Sequence, residues 1–212
     1  MNFDFFLKII PKIQNAKLLG DEAHKKLAPK NRIDLIKELE DQIVNSKKAS
    51  VLILFYPKYN KTHMVLIVRN VYEGVHSSQI AFPGGKVEFF DATHRATALR
   101  ETYEEIGIPA EKIEIVKDFT SIFIPPSNFI VFPFLGYCSE ELIFNIDTKE
   151  VFRIIEVPIE LLLNDQILST QVISNSYMDL IEVPGFKIDE NFVWGATAMI
   201  LSELKEVLQS VL

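Results

Sequence analysis

Glu101, Glu104 and Glu105 fall within an arc of about 100° when the segment around them is wound at 3.6 residues per turn. Like charges three and four residues apart cost a helix a few tenths of a kcal/mol per pair, so this placement asks for something that offsets the repulsion. A hard divalent cation would do so. Magnesium is held by carboxylate oxygens, takes one or two protein carboxylates, and keeps waters and substrate phosphates as its other ligands. Arg100 directly precedes the first glutamate, and the turn Pro83-Gly84-Gly85 stands ahead of the segment. At such a turn a backbone carbonyl can approach an ion with no side chain in the way. The competing interpretation is a solvated acidic face with no chemistry.

Carboxylates doing this work need a rigid carrier, and the spacing predicts a helix from about Ala92 to Ile106. Asp91 stands where an N-cap should be, and Gly107-Ile108-Pro109 is the stop. On that helix Ala92, Ala96, Leu99, Thr102, Tyr103 and Ile106 share a side expected to face the core, opposite the glutamates. Ahead of it, helical spacing covers residues 3–10 and 32–46, the second with Leu35, Ile36, Leu39 and Ile43 on one stripe, and residues 15–31 read as a loop. Val51–Tyr56 and His63–Arg69 are apolar runs about the polar turn 58–62, the pattern of a hairpin. Ile80–Phe82, Ile113–Phe119, Phe129–Cys138 and Phe152–Val157 read as strands, Ile159–Leu163 as a short helix, 171–194 as further strands and turns, and Gly195–Leu212 as a closing helix. Strands interleaved with helices make the class α/β or α+β with a mixed sheet. Residues 1–48 form a helical N-terminal arm in this scheme, and 49–212 the main domain.

Composition narrows the partners. Among 212 residues, 48% are hydrophobic and 24% charged, which is a globular make-up with a real core. Twenty-nine acidic against 22 basic residues, a net charge of −7, argue against nucleic-acid backbone binding. No apolar run approaches the length of a membrane helix, and no basic signal-type leader is present, so a cytoplasmic protein with no membrane partner is expected. Cys138, the one cysteine, lies in an apolar run and reads as a buried thiol.

The run Gly85, then Arg100-Glu101-x-x-Glu104-Glu105-x-Gly107-Ile108, resembles the Nudix box. Six specified positions would coincide by chance on the order of once in ten million windows, which decides against the solvated face. The resemblance implies a Nudix fold, a mixed β-sheet sandwiched between α-helices. It also implies hydrolysis of a nucleoside diphosphate linked to another moiety, with Mg²⁺ or Mn²⁺. By the same resemblance Glu101, Glu104 and Glu105 with the Gly85 carbonyl hold metal, Arg100 orients a glutamate, and Glu101 or Glu105 stands closest to the chemistry. The match departs from the family at Asp91, which occupies the place of a glutamate and lies one residue further from the arginine than the pattern allows. Capping is the role expected for it.

Upstream, Arg69, His76, Gln79 and Phe82-Pro83-Gly84-Gly85 are similar to the extended motif of the coenzyme A diphosphatase branch. Val68 and Ser78 depart from it. This resemblance implies a coenzyme A pyrophosphatase releasing 4′-phosphopantetheine and adenosine 3′,5′-bisphosphate, with Arg69, His76, Gln79 and Gly84 at the substrate. Glu150 is a candidate further carboxylate at the metal or water, and Trp194 is expected in the core. The rival readings are a Nudix hydrolase for ADP-ribose or a dinucleoside polyphosphate, and a non-catalytic Nudix binding module. The complete glutamate set argues against the module. In a third reading the arm serves as an interaction surface, with a homodimer as one outcome.

Overall fold

An unbroken apolar run becomes a strand buried on both faces, and β1 (Lys47–Lys58) is that strand. Ile53 and Phe55 point into one hydrophobic core, and Leu52, Leu54 and Tyr56 into another, all of them fully buried. In this computed structural model residues 1–30, 32, 43, 45–70, 79–175 and 178–212 are described. Most of the helix expected over 32–46, and His76, lie outside the described residues.

β1 pairs antiparallel with β2 (Lys61–Arg69) about the turn residues Tyr59 and Asn60, whose φ values of 49° and 59° suit a tight hairpin of right-handed twist. On its other side β1 runs parallel to β7 (Phe129–Tyr137), from Lys47 opposite Phe129 to Phe55 opposite Tyr137. β3 (Ile80–Ala81) pairs with β2, and β4 (Gly84–Lys86) with β1. β5 (Glu114–Asp118) and β6 (Ile122–Ile124) join β7, and β8 (Val151–Pro158) joins β2. These strands make one mixed eight-stranded sheet. A separate antiparallel sheet holds β9 (Leu168–Asn175), β10 (Met178–Ile188) and β11 (Asn191–Trp194).

Helices cover both faces of the large sheet. Against the Leu52/Leu54 face lies α3 (His94–Ile106), which contributes Ala98 and Ile106. Against the Ile53/Phe55 face lie α1 (Phe3–Asn15) and α5 (Gly195–Val211). α2 (Asp21–Lys25) packs on α5, and α4 (Ile159–Leu163) follows β8. The mixed sheet between helices agrees with the expected class.

Several local expectations need correction. α1 continues through Pro11 to Asn15, because burying Ile13 beyond the proline outweighs the missing backbone donor. The expected loop over 15–31 contains α2. The residue-48 division falls inside β1, and α1 packs into the same core as β1 and α5, with the Phe6 ring 5.0 Å from that of Phe55. Trp194 is half-buried at the start of α5. Cys138 is buried as expected, and burial pushes its thiol up to about 12. Among the described residues no helix is long and apolar enough to cross a membrane.

Candidate active site

The site is built where β4 passes over α3. Helix α3 starts at His94, two residues later than its spacing suggests, and Thr93 caps it by accepting from the Ala96 N–H at 3.1 Å. At the other end Gly107 takes the left-handed conformation at φ 75° and its N–H closes on the Tyr103 carbonyl at 2.9 Å. Asp91 is therefore not the cap. It is the partner of Arg100, whose Nε and Nη2 donate to its two carboxylate oxygens, each at 2.9 Å. The Glu88 N–H and the Thr97 hydroxyl donate to the same carboxylate. The Arg100 bonds, with these two donors, hold Asp91 well below the usual carboxylate range, and Asp91 in turn raises the guanidinium.

Arg100 also donates through Nη1 to Glu101 at 2.8 Å and to Glu104 at 2.9 Å, and through Nη2 to the Lys86 carbonyl at 3.1 Å. All five N–H groups of the guanidinium are thus used. The planar fork fixes β4, the loop after it and two of the three glutamates in one arrangement.

The buried face of α3 also differs from expectation. Thr97, Ala98, Thr102, Glu105 and Ile106 are buried, whereas Tyr103 is 57% exposed. The helix is rolled so that Glu105, expected on the outer side with the other glutamates, is only 1% exposed. A buried carboxylate must be satisfied. Glu105 accepts from the Gly84 N–H at 2.8 Å, and Arg69 Nη1 reaches its other oxygen at 3.4 Å. Burial, with smaller contributions from Glu101 and Glu150, pushes this carboxyl up to about 8 against the pull of Arg69 and the Gly84 N–H.

Gly84 and Gly85 are required by close approach. A Cβ on Gly84, at φ 150°, would meet the Ser50 carbonyl oxygen at 2.3 Å, and one on Gly85 would lie 2.4 Å from the Glu101 carboxyl carbon. Glu101 is raised by burial first and also by Glu104 and Glu150, with Arg100 opposing. Glu104 is exposed. Glu150 is exposed on the loop before β8, near enough to act electrostatically on both Glu101 and Glu105.

Glu101, Glu104, Glu105, Arg100, Gly84, Gly85 and Arg69 thus meet in one place, and the charge of Glu150 acts on two of the glutamates. Gln79 accepts from the Arg69 N–H through its backbone carbonyl at 3.0 Å, so it stands beside the site. Arg69 pairs with a glutamate, the ion-pair role open to a strand-end arginine. Asp91 is the residue whose place spacing misassigned, as it partners Arg100 and does not cap α3; the signal was a carboxylate in the place of the family's glutamate.

Among the described residues no three His, Cys, Asp or Glu side chains converge so that they alone could hold a metal ion. An open set of oxygen donors is nonetheless what magnesium or manganese takes when phosphates and water complete its shell. The mutual repulsion of Glu101, Glu105 and Glu150, with the Glu101 carboxylate lying against Gly85 where a Cβ would clash, fits such a cation.

Comparison with known proteins agrees with this geometry. The NUDIX domain model matches residues 46–174. The chain is 29% identical over 180 residues to "Uncharacterized Nudix hydrolase NudL" of Enterobacter sp. (strain 638), covering 82% of this chain and 90% of that protein. It is 33% identical over 114 residues to "Nudix hydrolase 3" of Caenorhabditis elegans, covering 52% of this chain and 47% of that protein. Among solved structures, a Nudix hydrolase from M. smegmatis, RenU, shares the fold at a TM-score of 0.54 and 14% identity, over 79% of this chain and 88% of that one. With the matched domain spanning more than half of its residues and the glutamate-bearing helix inside it, the chain belongs to the NUDIX domain family and is one of its hydrolases.

Proposed function

We propose that this protein hydrolyses the diphosphate linkage of coenzyme A or its derivatives with Mg²⁺ or Mn²⁺, giving 4′-phosphopantetheine and adenosine 3′,5′-bisphosphate. The observation that carries the reading is the placement of Arg69 against Glu105, which puts a guanidinium from the branch-like motif beside the glutamates of the box. A substrate with a diphosphate and a 3′-phosphate needs cations at both, and arginine matches phosphate geometry.

Glu101, Glu104 and Glu105, with the Gly85 carbonyl, are the groups that would hold the metal, and Glu150 is a candidate to join them. A divalent cation supplies the positive charge that a diphosphate needs before a nucleophile can approach it. The rest falls to this chain. Arg100 fixes Glu101 and Glu104, and the Gly84 N–H fixes Glu105. Glu101, less buried than Glu105 and with its carboxylate against Gly85, takes the proton of the attacking water. Arg69 meets the substrate phosphate, with Gln79 beside it, and His76 is assigned to the substrate by the motif alone. Arg100, its donors committed, is a positioning residue.

Mass analysis of the products formed from coenzyme A with Mg²⁺ or Mn²⁺ in H₂¹⁸O tests the reading. The two named products, with one labelled oxygen between them, are expected. Cleavage of ADP-ribose or a dinucleoside polyphosphate without cleavage of coenzyme A would overturn the substrate and leave the hydrolase.

A further inference from the structure

β8 carries a bulge beside the site. Val68 of β2 stands opposite Arg153 and Arg69 opposite Val151, so Phe152 is an extra residue in β8 with no counterpart across the ladder. Bulges re-aim a side chain and gather next to active sites. Phe152 is 66% exposed, so its ring adds little to the core.

The pleat decides which face the ring takes. Ile154 packs into the core of Leu52, Leu54 and the α3 residues Ala98 and Ile106, whereas Arg153 turns the other way and donates to Asn191 of β11, the strand whose Val193 belongs to the Ile53/Phe55 core. Alternation returns Phe152 to the α3 side. Val151 is buried on that side too, which an unbroken strand would not allow, and the bulge is what brings both residues there. Arg69 reaches the same side, with Nη1 toward Glu105. Phe152 is thus a diagonal neighbour of Arg69 in the sheet, within about 8 Å.

What Arg69 meets decides what lies over this ring. In the substrate reading above Arg69 meets a phosphate, and the 3′-phosphate and the 5′-diphosphate of an adenosine nucleotide are each joined to the base through the same ribose. One sugar therefore separates base from phosphate, a step comparable to that from Arg69 to Phe152. Adenine is the flat ring of the substrate, and an open aromatic face takes a base by stacking without any hydrogen bond. The pantetheine arm, a chain of amides, has no such ring and leaves from the far end of the diphosphate.

We infer that Phe152 is the platform on which the adenine ring stacks while Arg69 holds a phosphate of the same nucleotide. The inference rests on the assignment of Arg69 to a substrate phosphate, and needs only the adenosine half of coenzyme A.

The test measures KM and kcat on coenzyme A, with ADP-ribose in parallel, for the native protein, Phe152→Ala, Phe152→Leu and Phe152→Trp, and follows tryptophan emission as adenosine 3′,5′-bisphosphate is added. Loss of one stacking contact should raise KM about tenfold in Phe152→Ala, with kcat within about twofold. Leucine should not restore KM, and tryptophan should. The introduced indole should be quenched by the bisphosphate more than Trp194, the native protein's one tryptophan. An unchanged KM in Phe152→Ala, or recovery with leucine, would overturn the inference and leave coenzyme A as substrate. Cleavage of ADP-ribose alone would overturn the coenzyme A reading; the tenfold rise measured on ADP-ribose would then uphold the stacking, and an unchanged KM would overturn it as well.

Discussion

Arg100 commits every donor it has within the protein, and Asp91 takes two of them at once. Replacing Asp91 by Asn keeps the volume but turns an amide N–H₂ toward the guanidinium, so the fork loses its bidentate partner and the glutamates their alignment. Misplacement of about 1 Å at a catalytic group costs on the order of a hundredfold. Asp91→Asn is expected to lower kcat by about tenfold to a hundredfold and also to lower Tm, which steady-state kinetics and a thermal melt would show. A melting change with native turnover would confine Asp91 to the fold. Glu101→Gln and Glu105→Gln each remove charge at the cation site at constant size, and kcat should drop by about a hundredfold with metal saturating and the circular dichroism spectrum retained. Near-native turnover in either variant would sink the assignment. Glu104→Gln should be milder, since that side chain is exposed and shares Arg100 with two other carboxylates.

At the scale of elements the chemistry depends on how closely β4 lies over α3. Gly85 does not need a left-handed backbone, so alanine is tolerated there by the chain, yet its Cβ would fall on the end of the Glu101 side chain. Gly85→Ala should therefore leave stability within about 1 kcal/mol while turnover falls about a hundredfold. A large loss in urea unfolding with turnover intact would contradict it. Thr93→Ala is the complementary case. It removes the cap of α3 without touching Arg100 or the glutamates, and should cost about 1 kcal/mol with kcat preserved.

At the scale of the molecule, the first fifteen residues belong to the core that supports the sheet. Phe6 is fully buried against Phe3, Phe55 and Tyr137. Phe6→Ala should destabilise by about 3–5 kcal/mol, as for other buried aromatics; a change below 1 kcal/mol in urea titration would return α1 to the status of an appended arm. α5 is locked to α2 and the loop after β5 through buried Glu203, which accepts from the Gly20 N–H at 2.7 Å and from the Thr120 N–H and hydroxyl at 3.1 and 2.7 Å, with His24 Nε2 at 3.5 Å. Burial works to raise this carboxyl, but the neighbouring His24 together with the bonds from Thr120 and Gly20 outweighs it and holds it below 4.5. Its folded value is depressed, so the stability it confers is present above 4.5 and is lost as pH falls through the folded value. Melting of the native protein should drop more steeply than that of Glu203→Gln as pH is lowered below 4.5, and parallel curves would refute the linkage.

The hairpin about Tyr59-Asn60, the short helix Ile159–Leu163 and the closing helix were legible in the sequence, because each is set by short-range spacing and turn chemistry. That Glu101, Glu104 and Glu105 share one helix with Arg100 was legible for the same reason, while Gly85 joined them through the resemblance to the Nudix box. Which of those carboxylates is buried was not. Periodicity places Glu105 with its neighbours on a common arc, but the roll of α3 on the sheet is decided by Ala98 and Ile106 packing under Leu52 and Leu54 and by the Gly84 N–H awaiting an acceptor. The role of Asp91 was likewise misassigned, with the cap falling to Thr93, since a cap and a guanidinium partner use the same carboxylate chemistry and only the fold of the loop after β4 brings Asp91 to Arg100. Local spacing determined which residue types line one helix; contacts between β4, β2 and α3, distant in sequence, decided what each of them touches.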